Sequence, residues 1–226
     1  RPDDLPIPGN APAGEKVLLQ PAQRQTLFST DKERHYGKAR PAFYIHAFRF
    51  YVATGLRRGE LCGLGKEDVG EGVLVVKRSI NDKNAENTGK NKNALRRVAL
   101  SGLAQKILAD QEEHLAQLAI ESPWLFPSEG GGRTLPNHLY KSWVRYRSCH
   151  GISSTIHELR HTMISLLKAD VPEQLLKRMV GHSRSMDTFG VYGHDVEGEE
   201  SMVAQCIDTA LERFLRADTN TVTQAE

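Results

Sequence analysis

The sequence predicts an α+β fold, mainly α-helical, with a small antiparallel three-stranded sheet. From Lys16 onward most of the chain has apolar residues recurring every three or four positions, as in AFYIHAFRFYVATGL, which is typical of helices. Two short runs interrupt this pattern and predict strands: GVLVVKRSI at 72–80, which is rich in β-branched residues, and the apolar run LRRVAL at 95–100. The apolar run WLF, which precedes a Gly-rich turn, predicts the last strand of the sheet.

The helices and the hairpin follow in a simple order along the chain. Gly55 is expected to end the helix formed by AFYIHAFRFYVATGL, because glycine readily adopts the conformation found at helix ends. The two predicted strands, with NDKNAENTGKNKN between them, predict a β-hairpin with a long basic tip. Further helices are predicted at 18–28, 101–119, 136–147, 155–169, 172–180, 185–192 and 199–216.

Composition predicts a globular domain with short unstructured ends. With 226 residues and 39% hydrophobic content, the chain is long enough to bury a sizeable core. We expect a linker at 1–14, a folded domain over 15–216 and a disordered tail at 217–226. No apolar run approaches the length of a membrane helix, so a cytoplasmic location is expected. Disulfides are not expected from three scattered cysteines, Cys62, Cys149 and Cys206.

The distribution of charge gives weak support for a nucleic-acid partner. The formal net charge is only +2, but basic residues cluster at 83–97, 141–147 and 177–184, and residues 195–200 are acidic. A single cluster of this kind is usually solvated surface. The clusters therefore indicate DNA only if a chemical motif accompanies them.

The densest group of reactive side chains is HELRH at 157–161. It matches HExxH, a zinc-binding pattern of peptidases, but Ile164 and Leu167 replace the glycine and third histidine of the extended pattern. A zinc peptidase is therefore a remote alternative. The other interpretation pairs His157 with Arg160, because residues three apart share a helix face. An imidazole beside a guanidinium fork suits phosphoryl transfer.

The segments HELRHTMISLL, MVGHS and TFGVYGH together resemble the C-terminal half of the tyrosine recombinase and phage integrase family. That family carries HxLRH, GH and a terminal nucleophilic tyrosine in this order. Upstream, ATGLRRGELCGL resembles the family's first arginine box, which selects Arg57 with Glu60 as its buried companion. The resemblance spans about residues 15–216 and implies a tyrosine-recombinase catalytic domain there.

A further segment, GKNKNALRRVAL, resembles the lysine motif of the family's β-hairpin and selects Lys90, six residues before Arg96. The match is imperfect, and Lys92 lies only two residues away. The departures from the usual threonine, serine and proline are Asn91, Ala94 and Ala99. The complete catalytic set that the resemblance implies is Arg57, Lys90, His157, Arg160, His182 and Tyr192.

The resemblance implies a reaction that needs no metal or cofactor. Tyr192 attacks a DNA phosphodiester to give a 3′-phosphotyrosine and a free 5′-hydroxyl, and the 5′-hydroxyl of another strand then reverses the step. His157 accepts the tyrosine proton, and His182 binds the phosphate or places Tyr192. Both His161 and His194 are interpreted as structural and left outside the catalytic set.

The remaining roles belong to the cationic side chains. Arg57 and Arg160 supply planar donors to the charged transition state, and Lys90 protonates the departing 5′-oxygen. The commoner fate of such arginines is a surface ion pair, and Arg58 stays open as the phosphate ligand in place of Arg57.

The implied function is site-specific recombination by an integrase or transposase of a mobile element. A type IB topoisomerase uses nearly the same chemistry and is the near alternative, and an inactive DNA-binding relative is a third possibility. The implied partners are double-stranded DNA and further copies of the chain, as a tetramer on paired sites. The apolar stripe of 199–216 either packs within its own chain or, as the resemblance implies, docks on a neighbouring subunit.

Overall fold

The computed structural model describes residues 17–87, 96–173, 176–177 and 199–216. Its helices are, in chain order, α1 Pro21–Ser29, α2 Ile45–Thr54, α3 Arg58–Cys62, α4 Gly102–Gln117, α5 Pro136–Cys149, α6 Ile156–Leu167 and α7 Glu199–Arg216. Its strands are β1 Lys32–His35, β2 Lys38–Pro41, β3 Val69–Gly70, β4 Val73–Val76, β5 Ser79–Ile80, β6 Glu86–Asn87 and β7 Arg96–Ala99. The predicted α+β, mainly helical class is therefore confirmed.

Helix α2 lies at the centre of the core. Every residue from Ala47 to Thr54 is buried, and the helix packs against α4 on one side and α6 on another. The buried Arg49 is accommodated because its Nε donates to the Leu27 carbonyl at 2.8 Å and its guanidinium pairs with Asp31. Gly55 ends the helix with a φ of +62°, as predicted.

The three-stranded antiparallel sheet has the order β3, β4, β7. Strands β4 and β7 are the predicted pair, with Val73 opposite Ala99. The prediction for the third strand was wrong: Val69–Gly70 takes that place, and Trp124 of WLF forms only an isolated bridge with Gly65. A two-residue strand gives no periodicity, whereas WLF is apolar because Phe126 enters the core.

Two short hairpins accompany this sheet. The pair β5 and β6 forms a two-stranded ladder of its own, so the predicted strand at 72–80 is broken after Val76. The pair β1 and β2 was not predicted, because KERHYGKARP is polar and has a single buried residue, Glu33, in its first strand. Glu33 is held by Arg40 and Arg145.

Helix α7 coincides with the predicted 199–216 and packs against its own chain. Its apolar stripe faces α1, α4, α6 and β7. Asp208 accepts hydrogen bonds from the amides of Gly102 and Leu103 at 2.7 and 3.2 Å, so it caps the start of α4. The buried residues of the stripe are Val203, Ile207, Ala210, Leu211 and Phe214.

Other predictions fall wholly or largely outside the described residues. These are the linker at 1–14, the tail at 217–226, the helix at 185–192 and most of the helix at 172–180. Among the described helices, none is both long and apolar enough to cross a membrane.

Candidate active site

A cleft of about 570 Å³ opens where α3 faces the N-terminal ends of α5 and α6. The turn after β5 closes one side of it through Asn81 and Asp82. Functional side chains in its lining include Arg57, Arg58, His157, Tyr51 and Tyr140. Sequence-predicted residues that lie one hundred positions apart thus meet in one cavity.

Arg57 is held at the cleft by Glu60. It stands at the N-cap of α3, where its backbone N–H donates to Glu60 Oε2 at 2.7 Å and its guanidinium to Oε1 at 2.9 Å. Glu60 is buried, whereas 45% of the Arg57 side chain stays exposed. The companion role predicted for Glu60 is therefore seen, and Arg57 keeps an open face toward the cleft.

Arg96, at the start of β7, completes this cluster. Its guanidinium donates to both carboxylate oxygens of Glu60 at 2.7 Å, the bidentate geometry that arginine favours. Burial acts to raise the pKa of Glu60, but the hydrogen bonds and charge of Arg96, with those of Arg57, outweigh it and lower the pKa to about 2. Glu60 therefore stays ionised at neutral pH, and its ion pair with Arg96 joins α3 to the sheet.

Arg160 lies beneath the cleft on α6, with only 3% of its surface exposed. Its Nη1 donates to the carbonyl of Gly55, the residue that ends α2. Burial and the nearby positive charge of Arg57 lower the pKa of Arg160 to about 10. Arg57 at an open cavity and Arg160 buried behind it thus give this side of the cleft a positive charge, which suits an anion.

His157 occupies the first turn of α6 and lines the cleft, while His161 lies one turn below it. The two imidazole rings meet edge to face, with centroids 4.7 Å apart. Glu158, the candidate base of the HExxH interpretation, accepts hydrogen bonds from the amides of Thr155 at 2.7 Å and Val17 at 2.9 Å. Its carboxylate therefore caps the start of α6 in a capping box with Thr155.

Arg58 is the alternative to Arg57 as the phosphate ligand, and it lies in the cleft lining beside Asp82 and Tyr140. Its guanidinium lies 3.7 Å from the Asp82 carboxylate and 5.7 Å from the centre of the Tyr140 ring. Burial raises the pKa of the other tyrosine in the wall, Tyr51, to about 12, which makes its hydroxyl a poor nucleophile. Of the two tyrosines in this described lining, Tyr140 is the exposed one.

Half of the predicted catalytic set is placed by the structure. Arg57 and His157 line the cleft and Arg160 is buried on the same helix as His157, whereas Lys90, His182 and Tyr192 lie outside the described residues. Arg96 served in the sequence only to locate Lys90, and its place in the Glu60 cluster was missed. The alternation in LRRVAL, which turns Val98 into the core and Arg97 to solvent, is the signal that separates the two arginines.

Comparison with known proteins identifies the family. The sequence profile of the phage integrase family matches residues 18–199, which is most of the chain. The chain belongs to the phage integrase family. This integrase-family chain resembles a tyrosine recombinase XerC-like protein of Caldanaerobacter subterraneus subsp. tengcongensis. The two are 25% identical over an alignment of 232 residues, gaps included, which covers 88% of the chain and 59% of that relative.

A second relative of this integrase-family chain is the tyrosine recombinase XerD of Rhizobium meliloti. The two are 28% identical over 160 residues, which is 68% of the chain and 48% of the relative. The chain thus spans between about half and three fifths of the length of these curated relatives.

Solved structures of integrases share the fold. The Tn1549 transposon integrase in complex with transposon right end DNA superposes with a TM-score of 0.63 at 19% identity, over 92% of this chain and 68% of that one. A lambda integrase tetramer bound to a Holliday junction gives 0.50 at 18% identity, over 66% of this chain and 44% of that one. At these identities the likeness shows the fold.

Proposed function

We propose that this chain is the catalytic domain of a site-specific DNA recombinase, an integrase or transposase of a mobile element, which cuts and rejoins DNA through a 3′-phosphotyrosine at Tyr192. The observation that carries the proposal is that Arg57 and His157 line one cleft, with Arg160 buried one helical turn after His157. A guanidinium and an imidazole that face a cavity above a second arginine suit an anion, and a DNA phosphodiester is such an anion.

The proposed chemistry conserves the energy of the phosphodiester. The Tyr192 hydroxyl attacks phosphorus, the bond to the 5′-oxygen breaks, and a 3′-phosphotyrosine and a 5′-hydroxyl form. Attack by a 5′-hydroxyl of another strand then restores a phosphodiester and releases the tyrosine. Arg57 and Arg160 stabilise the negative charge that gathers on the non-bridging oxygens in both steps.

Proton transfers belong to three further groups. His157, at the mouth of the cleft, takes the proton of Tyr192 as the new bond forms, because a phenol with a pKa near ~10 is a weak nucleophile at neutral pH. Lys90 returns a proton to the leaving 5′-oxygen, and His182 binds the phosphate or places Tyr192. Family membership supports this scheme over the zinc peptidase, and the capping role of Glu158 agrees with it.

The proposed partners are duplex DNA and further copies of the chain, as a tetramer on paired sites. Helix α7 would mediate this assembly by leaving its own chain and occupying the equivalent surface of a neighbour. Such an exchange needs no new interface, because the same residues are buried in both arrangements. The large apolar stripe around Ile207, Leu211 and Phe214 supports the proposal.

The experiment is covalent trapping on a nicked suicide duplex, in which the cleaved fragment diffuses away. Wild type is expected to form a protein–DNA adduct that maps to Tyr192 and also forms in EDTA. Tyr192→Phe is expected to abolish the adduct and to retain DNA binding, because only one hydroxyl is lost. Tyr140→Phe is the matched control, since Tyr140 lines the same cleft.

An adduct that persists in Tyr192→Phe, or that maps to Tyr140, would contradict the proposal. Loss of activity in EDTA together with stoichiometric bound zinc would support the peptidase interpretation instead. Strand exchange between two linear duplexes, compared with relaxation of a supercoiled circle alone, separates a recombinase from a type IB topoisomerase.

A further inference from the structure

The hairpin formed by β1 and β2 ends in an exposed aromatic residue. Its two-residue turn is Tyr36-Gly37, with His35 opposite Lys38. Tyr36 is 93% exposed, and its ring rests only on the neighbouring His35 ring, 4.3 Å away between centroids. No described core residue gains from the presence of this ring, so burial does not account for a tyrosine here.

The turn also places Tyr36 in an unfavourable conformation. The φ angles of Tyr36 and Gly37 are +49° and +76°, the pair of positive values found in type I′ hairpin turns. Asparagine followed by glycine is the favoured sequence for this turn, because a bulky side chain resists the left-handed region. Tyrosine at the first position therefore works against the hairpin, which points to a role outside folding.

The charge of the hairpin is positive and unneutralised. Lys32, Arg34 and Lys38 are exposed, and none of them pairs with a carboxylate among the described residues. The hairpin's one acidic residue, Glu33, is buried and already bound by Arg40 at 2.8 Å and by Arg145 of α5 at 2.9 Å. The solvent-facing surface of the hairpin is therefore basic around an aromatic tip.

The hairpin packs against α5. At the C-terminal end of that helix the Lys32 carbonyl is 2.8 Å from Nε2 of His150, and the Arg34 N–H donates to Cys149 Sγ at 3.2 Å. Further along, Glu33 meets Arg145, and His35 shares a groove of about 450 Å³ with His138 and Lys141. The N-terminal turns of α5 also line the cleft through Pro136 and Tyr140, so the helix that carries the hairpin also borders the site.

We propose that the β1–β2 hairpin is a second DNA contact of this chain, in which Tyr36 packs on the sugar-phosphate backbone while Arg34 and Lys38 neutralise phosphates outside the cleft. The inference rests on the proposed DNA recombinase function and extends it to a second surface that is carried by α5. Its ligand is duplex DNA, since unpaired cations around an exposed ring match a polyanion with apolar sugars.

The test measures binding of the whole chain to a fluorescent duplex of random sequence at several KCl concentrations. A duplex of about 30 base pairs is long enough to contact both the cleft and the hairpin. Arg34→Ala/Lys38→Ala is expected to flatten the plot of log K against log salt by roughly 1.8, which is about 0.9 for each lost phosphate contact. The charge-matched control is Lys106→Ala/Lys168→Ala, on exposed positions of α4 and the end of α6. It is expected to leave the slope near that of wild type.

Tyr36→Asn separates binding from folding, because it suits the turn better than the natural residue. We expect its melting temperature to equal or exceed that of wild type while DNA binding weakens roughly fivefold, the effect of one ordinary lost contact. Unchanged affinity in Tyr36→Asn and an unchanged salt slope in the double variant would overturn the inference. So would loss of self-association with intact DNA binding, which would make the hairpin a protein interface.

Failure of the hairpin proposal and failure of the proposed recombinase function give different results. If wild type forms the Tyr192 adduct and the hairpin variants bind DNA normally, the hairpin inference alone fails. If the hairpin variants bind DNA weakly and wild type forms no adduct, the recombinase chemistry fails and the DNA contact stands.

Discussion

Glu60 shows how one residue sets the electrostatics of the site. Its buried carboxylate binds the bidentate guanidinium of Arg96 and, from the other side, Arg57. Removal of the charge leaves the largely buried Arg96 without its counter-ion, and breaking a buried pair in this way costs ~3–5 kcal/mol. Arg57 then also loses the contact that aims it at the cleft.

The pH dependence of stability is therefore expected to report on Glu60. Its pKa falls from 4.5 to about 2 on folding, so its contribution is complete above pH 4.5 and is lost as the pH falls toward 2. The size of that contribution is on the order of 3 kcal/mol. Urea unfolding of wild type and Glu60→Gln between pH 7 and 2.5 measures it.

We expect Glu60→Gln to be less stable at neutral pH and to show a shallower acid loss than wild type. Glu212→Gln, an exposed position on α7, is the control and should follow the wild-type curve. Equal acid slopes for wild type and Glu60→Gln would show that other carboxylates dominate this window.

The proposed acid, Lys90, is testable with a modified leaving group. Lys90→Ala is expected to slow cleavage of a normal 5′-oxygen substrate by roughly 10²- to 10⁴-fold, the usual contribution of general acid catalysis. A substrate with a bridging 5′-sulfur needs no proton, so its cleavage should be nearly unaffected. Lys92→Ala serves as the matched variant, and equal losses on both substrates would remove Lys90 from the role.

Residue patterns predicted the parts of the site that depend on local spacing. Arg57 and Glu60 are three residues apart, which puts Glu60 in position to cap α3. His157 and Arg160 are also three apart, so their side chains leave the same side of α6. Arg96 was missed because its ion pair with Glu60 joins residues 36 positions apart. The alternation in LRRVAL shows which of the two arginines faces inward, but the partner of Arg96 depends on how β7 meets α3, which no local pattern encodes.

At the scale of elements, the end of α2 connects the core of the fold to the site. Gly55 both terminates the helix in the left-handed region and presents its carbonyl to Arg160. Gly55→Ala is expected to lower the free energy of unfolding by ~1–2 kcal/mol, the usual cost of that conformation for a residue with a Cβ. It is also expected to slow adduct formation, because the acceptor that holds Arg160 shifts.

Gly72 provides a closely matched control for this prediction. Its φ is +68°, and a Cβ there would meet no atom within 4 Å. Gly72→Ala should therefore carry a similar backbone penalty without any loss in the rate of adduct formation. Equal rate losses in both variants would mean that the effect comes from general destabilisation.

Elements with strong periodicity were predicted well and short polar ones were not. Helix α7 matches the predicted 199–216, and α5 extends only two residues beyond the predicted 136–147. Strands β1 and β2 escaped prediction because tertiary contacts to α5 replace the apolar alternation that marks a strand. The third strand of the sheet is set by tight pairing at Gly70 rather than by composition.

At the scale of the whole molecule, α7 joins the two halves of the sequence. It packs on α1 through Phe214, whose ring lies 4.3 Å from the Arg24 guanidinium, and it caps α4 through Asp208. Each fully buried large apolar side chain contributes ~1.5–3 kcal/mol. The stripe of α7 therefore contributes as much as the net stability of an ordinary domain.

Truncation after Glu200 is accordingly expected to abolish cooperative unfolding or to cause aggregation, as measured by calorimetry and sedimentation. Truncation after Arg216 is the control and should leave the melting temperature unchanged. A truncated chain that stays folded, monomeric and able to bind DNA would contradict this expectation, because the surface that α7 covers, whether in its own chain or in a neighbour, would then be stable without it.

The contact between Arg160 and Gly55 joins residues that are 105 positions apart. During synthesis, which proceeds at ~5–20 residues per second, the basic hairpin and Arg57 emerge well before α6 exists. A chain that stops before Ile156 would therefore carry the proposed DNA contact of the hairpin together with Arg57, without Arg160 or the proposed nucleophile. Any chain that ends before Tyr192 could bind DNA through that contact but could not form the proposed phosphotyrosine.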